Sequence, residues 1–250
     1  MFLKLPRHHP KRKMTMKTKV LSVLFFCTVI AFAADITSPK ISLPLNEGDT
    51  EALAKSVKLT NKQLMSWIDG PAGKALYLDN KLGAKNHAML TIPIPDEIRI
   101  GKPFTISMQV KTPAELHKSR QYEIIRISNG KKPGLRLHLS WRRFRTELSE
   151  DGEKVVSIVA PTGKSPLVDA NKWYSIGLTY DGNKICFYRD GAMLCSAEAK
   201  FKVSEKAQNV CICATSGSGT CYYYEGAITN FKYFAEALTA EEMAKLATMQ

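Results

Sequence analysis

Apolar and polar residues alternate with a period of two along much of the chain, the mark of strands with one buried face. Residues 104–111 (FTISMQVK) alternate almost without a break. Residues 134–141 do the same: Leu135, Leu137, Leu139 and Trp141 share one face, and Arg136, His138, Ser140 and Arg142 the other. Shorter segments at 76–78, 88–94, 122–128, 154–160, 174–180, 184–189, 193–197, 210–215 and 228–234 read the same way. Asn129-Gly130, Asp151-Gly152, Asp181-Gly182 and Asp190-Gly191 separate several of them with hairpin-turn pairs. About a dozen short strands with such turns predict an all-β fold, a two-sheet antiparallel sandwich rather than a parallel α/β sheet. One helix is expected at the C-terminus, where Thr239 and Glu242 form a capping box ahead of Met243, Leu246 and Ala247. Residues 34–250 show no repeat and no linker, and read as a single domain.

The first 33 residues depart from this pattern. Lys17 and Lys19 precede an apolar run over residues 20–32, and Ala31-Phe32-Ala33 closes it. A basic start, a short apolar core and an Ala-x-Ala end predict a signal peptide over residues 1–33. A membrane anchor needs roughly 20 apolar residues, and Asp35 ends the run too early. Met14 and Met16 are alternative starts, which would shorten the basic leader. The expected location is outside the cytoplasm: extracellular, periplasmic or at the cell surface, with no span left after cleavage.

Charge must be read with that segment set aside. The chain has 36 Lys and Arg against 23 Asp and Glu, a net +13. Seven of those cations (Lys4, Arg7, Lys11, Arg12, Lys13, Lys17, Lys19) lie in the first 33 residues, leaving 29 basic against 23 acidic, or +6. That balance and an exported setting argue against nucleic acid and favour polyanions such as acidic polysaccharides. Export also makes disulfides expected. Around Asp190-Gly191, counting outward from the turn sets Cys186 opposite Cys195, which predicts a cross-strand bridge, with two reduced thiols as the alternative. Cys221 is placed to reach Cys211 or Cys213 across the Gly/Ser loop at 215–220, and one of the five is left over.

Five segments in order carry a resemblance. Residues 171–182 (NKWYSIGLTYDG) lead to residues 185–191 (ICFYRDG); before them come 41–48 (ISLPLNEG), 73–79 (GKALYLD) and 104–111, and 226–242 close the series. Together they resemble the laminin-G-like, concanavalin A-like domains over about residues 41–245. The resemblance implies a jelly-roll sandwich that binds through rim loops or a concave sheet face. It places Trp173, Ile176, Leu178 and Tyr180 in the core rather than at a ligand.

No catalytic constellation emerges, and the chain is read as a non-enzyme. Glucanases of this fold carry a Glu-x-Asp-x-x-Glu run on one strand, setting two carboxylates about 5–5.5 Å apart for retention; no such run occurs. The acidic cluster at 147–153 coincides with a turn signal and reads as a solvated hairpin tip. Residues 163–165 (GKS) lack the rest of a phosphate loop, and 217–219 (GSG) lack a nucleophile elbow.

Binding has two candidate stretches. Residues 141–145 (WRRFR) offer Trp141, Arg143 and Arg145, cations and an aromatic that suit an acidic or sulfated glycan; the alternative is core packing of Trp141 and Phe144. Residues 222–224 (YYY) offer Tyr223 as an exposed aromatic, or ordinary strand packing. No cofactor is required by the sequence. Family members often hold Ca²⁺ through acids at the start of the last strand, where this chain has Ile228-Thr229-Asn230, leaving Asp79 and Asn46 as oxygen donors. The partner expected is a glycan. An extracellular protein bound by an assembly module is the alternative, and a divergent polysaccharide hydrolase a third. The sequence does not set the oligomeric state.

Overall fold

The structure is a computed structural model. It describes residues 36–46, 57–81, 86–117, 120–129, 132–149, 155–159, 167–200, 209–213 and 223–249. The leader, residues 163–165 and 217–219, most of the 147–153 cluster, Cys221 and Tyr222 lie outside them.

Numbered along the chain, the strands are β1 (Ile41–Leu43), β2 (Lys58–Thr60), β3 (Met65–Gly70), β4 (Gly73–Leu78), β5 (Met89–Pro93), β6 (Phe104–Lys111), β7 (Gln121–Asn129) and β8 (Lys132–Ser140). They continue as β9 (Arg143–Ser149), β10 (Val155–Val159), β11 (Trp173–Tyr180), β12 (Lys184–Arg189), β13 (Ala192–Glu198), β14 (Asn209–Ile212) and β15 (Gly226–Phe234). Two helices accompany them, α1 (Asp96–Arg99) and α2 (Ala240–Thr248).

Among the described residues, eight strands form one antiparallel sheet in the order β13-β12-β11-β6-β15-β4-β3, with β1 also paired to β15. Seven form the other in the order β10-β9-β8-β7-β14-β5-β2. The all-β, two-sheet sandwich read from the alternation is therefore the fold observed.

The core lies between the sheets, built from the alternate residues that the period of two selects. Phe104, Ile106, Met108 and Val110 of β6 face Leu135, Leu137 and Leu139 of β8 and Ile125 and Ile127 of β7 in one buried cluster. Each fully buried side chain of this size contributes about 1.5–3 kcal/mol of transfer free energy. Outside the eight-stranded sheet, α2 packs Met243 and Leu246 against Tyr188, Phe234 and Leu238. Its start is the capping box read from the sequence: the Glu242 amide donates to the Thr239 hydroxyl, and the Glu242 carboxylate accepts from the Thr239 amide. Two glycines make room for it. A Cβ on Gly177 would sit 2.2 Å from the Met243 methyl, and one on Gly191 3.1 Å from the Ala244 backbone.

Two expectations are corrected here. Asp190-Gly191 does make the β12–β13 turn, and Arg189–Ala192 and Tyr188–Met193 pair as counted. A β-bulge at Leu194 then shifts the register, so that Phe187 faces Cys195 and Cys186 faces Ser196. Cys195 lies on the core side with Phe187, and Cys186 on the side of Tyr188 under α2. Thiols on opposite faces of a ribbon cannot bridge, and both are free. Burial pushes both thiols up, Cys195 to about 11.

The second correction concerns Trp141. Its alternation with Leu135, Leu137 and Leu139 and the alternative of core packing do not hold: it opens the β8–β9 turn and is 58% exposed, as its reading as a ligand contact requires. Phe144, its companion in the sequence reading, is buried in the core.

Candidate functional site

The seven-stranded sheet sends a lattice of polar side chains outward. Register sets three rows across β7, β8 and β9: Gln121, Ser140, Arg143; Glu123, His138, Arg145; and Arg126, Arg136, Glu147. The intervening residues, Tyr122, Leu137, Leu139, Phe144 and Leu148, are buried in the core. Pleating therefore commits all nine polar residues to the opposite face. Cys211 of β14 extends the third row beside Arg126.

Arg136 is the hub. Its Nε donates to both oxygens of Glu123 at 2.6 and 2.9 Å, and its terminal nitrogens reach Glu147 at 3.2 Å and Gln121. Arg126 adds a second donor to Glu123 at 3.1 Å. Glu123 is fully buried, and burial pushes its carboxyl up, to about 7, against the opposing pull of Arg136 and Arg126. His138 beside it is 1% exposed. Burial holds its pKa down at about 2, helped by the positive charges of Arg136, Arg145 and Arg126, so the imidazole is neutral. Glu147 is thus a strand residue paired to Arg136, not part of a solvated hairpin tip.

Arg143 and Arg145 differ from this hub. Neither has a carboxylate partner among the described residues, and the Nε of Arg145 is buried without an acceptor. Both are half-buried.

The adjoining turn is strained. Trp141 and Arg142 both sit in the left-handed region, at φ 53° and 59°. That is the mirror-image turn a two-residue hairpin needs, usually made by Asn or Gly; ordinary residues there cost of order 1–3 kcal/mol each. Arg142 anchors the turn. Its carbonyl accepts from the Val168 amide at 3.0 Å, its Nε donates to the Val168 carbonyl at 3.1 Å, and its Nη2 lies 3.6 Å from Asp169. The strain fixes an exposed indole at the end of the lattice.

The structure thus brings Trp141, Arg143 and Arg145 together on one hairpin. Tyr223 belongs to a different cluster: its ring stacks on His87, centroids 3.4 Å apart. Tyr224 is buried, and its hydroxyl donates to the Lys111 carbonyl at 2.7 Å. Behind Tyr223, the buried guanidinium of Arg120 donates to Glu225 at 2.7 Å, to the Tyr223 carbonyl at 3.2 Å and to the Asn80 carbonyl. Three oxygens converge here on an internal cation.

The remaining candidate calcium donors have protein partners. Asp79 lies 3.4 Å from Lys81, and the Asn46 carbonyl accepts from the Lys74 amide at 3.3 Å. The Thr229 hydroxyl donates to the Pro44 carbonyl at 2.7 Å, and the Asn230 amide to Gln109 at 3.3 Å. Among the described residues no group of three His, Cys, Asp or Glu side chains is arranged to hold a metal.

Sequence reasoning missed the hub, Glu123–Arg136–Glu147–Arg126. The signal was present: Arg136 and His138 alternate with the leucines of β8. It is obscured because β9 shows no plain alternation of apolar and polar residues: its inward positions are Phe144, Thr146 and Leu148, and three of its outward ones, Arg143, Arg145 and Glu147, are charged.

A family model described as the concanavalin A-like lectin/glucanases superfamily matches residues 84–244. The chain belongs to this superfamily. Members of it share the sandwich seen here, and solved structures repeat the architecture. The binding domain of botulinum neurotoxin serotype G is similar at 18% identity and a TM-score of 0.62, over 85% of this chain and 51% of that one. The binding domain of paraclostridial mosquitocidal protein 1 is similar at 16% identity and 0.61, over 77% and 47%. The binding domain of botulinum neurotoxin DC, solved in complex with SialylT, is similar at 12% identity and 0.60, over 77% and 46%. The chain spans about half the length of these structures. At such identities the likeness shows the fold. No curated protein matches the chain.

Proposed function

We propose that the protein is an exported, non-catalytic module that recognises a glycan through the β8–β9 hairpin of its concanavalin A-like sandwich. The observation that carries this reading is Trp141, an exposed indole held in a strained turn directly ahead of Arg143 and Arg145. Sugars present apolar faces rimmed by hydroxyls, and an indole platform flanked by guanidinium donors matches that chemistry. Superfamily membership supports the same class of ligand, and the similar solved structures are named as binding domains.

The geometry of the acids supports a binding role over hydrolysis. Glycoside hydrolysis needs one carboxyl free to donate a proton and another free to attack or to activate water. Glu123 and Glu147 are both held by the same guanidinium. Export rests on the leader at residues 1–33; no helix among the described residues is long and apolar enough to cross a membrane.

The test is a glycan and polysaccharide array probed with the folded protein, with calcium and then with EDTA. Saturable binding lost in Trp141→Ala is the expected result. Signal lost in EDTA would move the site to a metal. Silence across the array would overturn the glycan reading and favour a protein partner.

A further inference from the structure

Among the described residues, the outer lattice across β7, β8 and β9 holds four guanidiniums and two carboxylates. Arg136 and Arg126 account for both carboxylates: Glu123 takes three contacts from them, and Glu147 takes one from Arg136. Arg143 and Arg145 remain. They stand two apart on β9, so both project from the same face, roughly 7 Å apart along the strand. His138, across from Arg145, is neutral and offers that cation no charge. Three buried polar atoms without a partner among the described residues lie in this lattice: the Nε of Arg145, the Nε of Arg126 and the Nδ1 of the almost fully buried His138. Buried polar atoms are nearly always paired in native proteins. Two like charges on neighbouring outward positions of one strand also repel. A sheet that matches its arginines to Glu123 and Glu147, and leaves two without a carboxylate among the described residues, is prepared for an acid from outside these strands.

We infer that Arg143 and Arg145 form an anion-binding subsite, which takes the acidic group of a sugar, a carboxylate or a sulfate ester. The inference rests on the glycan reading above, which supplies the sugar through Trp141. The guanidinium fork supplies the selection: it matches a carboxylate or sulfate with two parallel N–H···O bonds, which a neutral hydroxyl cannot return with the same strength. Trp141 accepts the sugar ring, and the lattice accepts its charge.

Calorimetric titration of the full protein at about 0.15 M salt, where long-range attraction is screened to about 8 Å, tests this. The probes are an oligogalacturonate, the neutral galactose oligomer of equal length, and poly-glutamate. The acidic oligosaccharide is expected to bind at least about tenfold more tightly than the neutral one. Arg143→Gln/Arg145→Gln should erase that preference, and Arg143→Lys/Arg145→Lys should keep only part of it, because charge survives and the fork does not. The urea midpoint of each variant, unchanged from the parent, separates lost binding from lost folding. No preference in the parent, or preference retained in the double Gln variant, would overturn the subsite while leaving a Trp141-dependent neutral glycan site standing. Poly-glutamate binding as tightly as the oligosaccharide would overturn the assignment to a sugar. No binding of any oligosaccharide would overturn both readings together.

Discussion

The two sheets of this sandwich share one core but finish their outer faces in opposite ways. The eight-stranded sheet turns Thr105, Ser107, Gly177 and Thr179 outward in the middle of β6 and β11, and α2 closes part of this face by packing Met243 on Gly177, with Leu246 against Tyr188 and Phe234. The seven-stranded sheet turns charge outward, in a lattice of four arginines, two glutamates and a histidine. A face closed by the chain's own helix is finished. A face of charges is finished only where each charge has its opposite, and among the described residues that holds around Arg136 and stops at Arg143 and Arg145. The contrast teaches where the molecule spends residues on folding and where it holds them for something else.

The strongest challenge to that contrast is Arg136→Leu. If the hub is structural, removing its guanidinium strands a fully buried carboxylate, and breaking a buried pair from one side costs about 3–5 kcal/mol. Urea unfolding at pH 8 should show a loss of that size. The loss should shrink as pH falls below about 7, where the buried Glu123 escapes the penalty by taking a proton. A variant as stable as the parent at pH 8 would show the lattice to be surface decoration throughout.

On the finished face, Gly191→Ala should cost about 1–3 kcal/mol. Gly191 sits at φ 80°, where a side chain is strained, and its Cβ would press on the Ala244 backbone. Hydrogen exchange should report the damage first as lost protection over 240–248. Unchanged protection there would mean that α2 is not what closes this sheet.

How much of this was legible beforehand follows the same division. The closed face was readable, because β6 alternates cleanly and Thr239 and Glu242 announce the cap of α2. Strands such as 104–111 and 184–189 were found at their observed bounds. The turn at Trp141-Arg142 was not, because it adopts a backbone normally given to Asn or Gly with neither present. Missing that turn hid β9, and with β9 the whole lattice. The single-residue bulge at Leu194 likewise has no signature in sequence, yet it separates Cys186 from Cys195. Arg143 and Arg145 were picked as binding residues from composition alone. What composition could not give was their distinction from Arg136, since pairing across strands depends on register.

Acid sharpens the comparison further, through two groups of opposite sign. His138 has its pKa lowered from 6.5 to about 2, so its contribution to stability is present above pH 6.5 and is lost as pH falls toward 2. Glu123 has its pKa raised from 4.5 to about 7, so its contribution is present below pH 4.5 and is lost as pH rises through 7. Between 4.5 and 6.5 the two oppose each other. The groups facing His138 are Glu123 on β7, Arg136 on its own strand, and Arg145 and Glu147 on β9, with Arg126 diagonal to it. His138→Gln should therefore flatten the stability profile below pH 6.5 and leave the decline between 4.5 and 7 in place. Urea midpoints at pH 3.5, 5.5 and 8 read both limbs. An unchanged acid slope would mean that His138 is charged in the folded state.

The smallest expected effect carries the most weight. Arg145→Gln should change stability by no more than about 0.5 kcal/mol, as substitutions away from core packing and paired charge generally do. Arg136 and Arg145 differ by one strand and one row, have the same chemistry and face the same way. If thermal unfolding shows Arg145→Gln to be neutral while Arg136→Leu is severe, then the fold does not need the Arg145 charge, although it accommodates that side chain half-buried beside a neutral imidazole and Arg143. Its Nε, buried without an acceptor, is a cost that Gln removes, so a slight gain in stability fits the same argument. A loss above about 2 kcal/mol would place Arg145 among the structural arginines and take the unmatched charge out of the lattice.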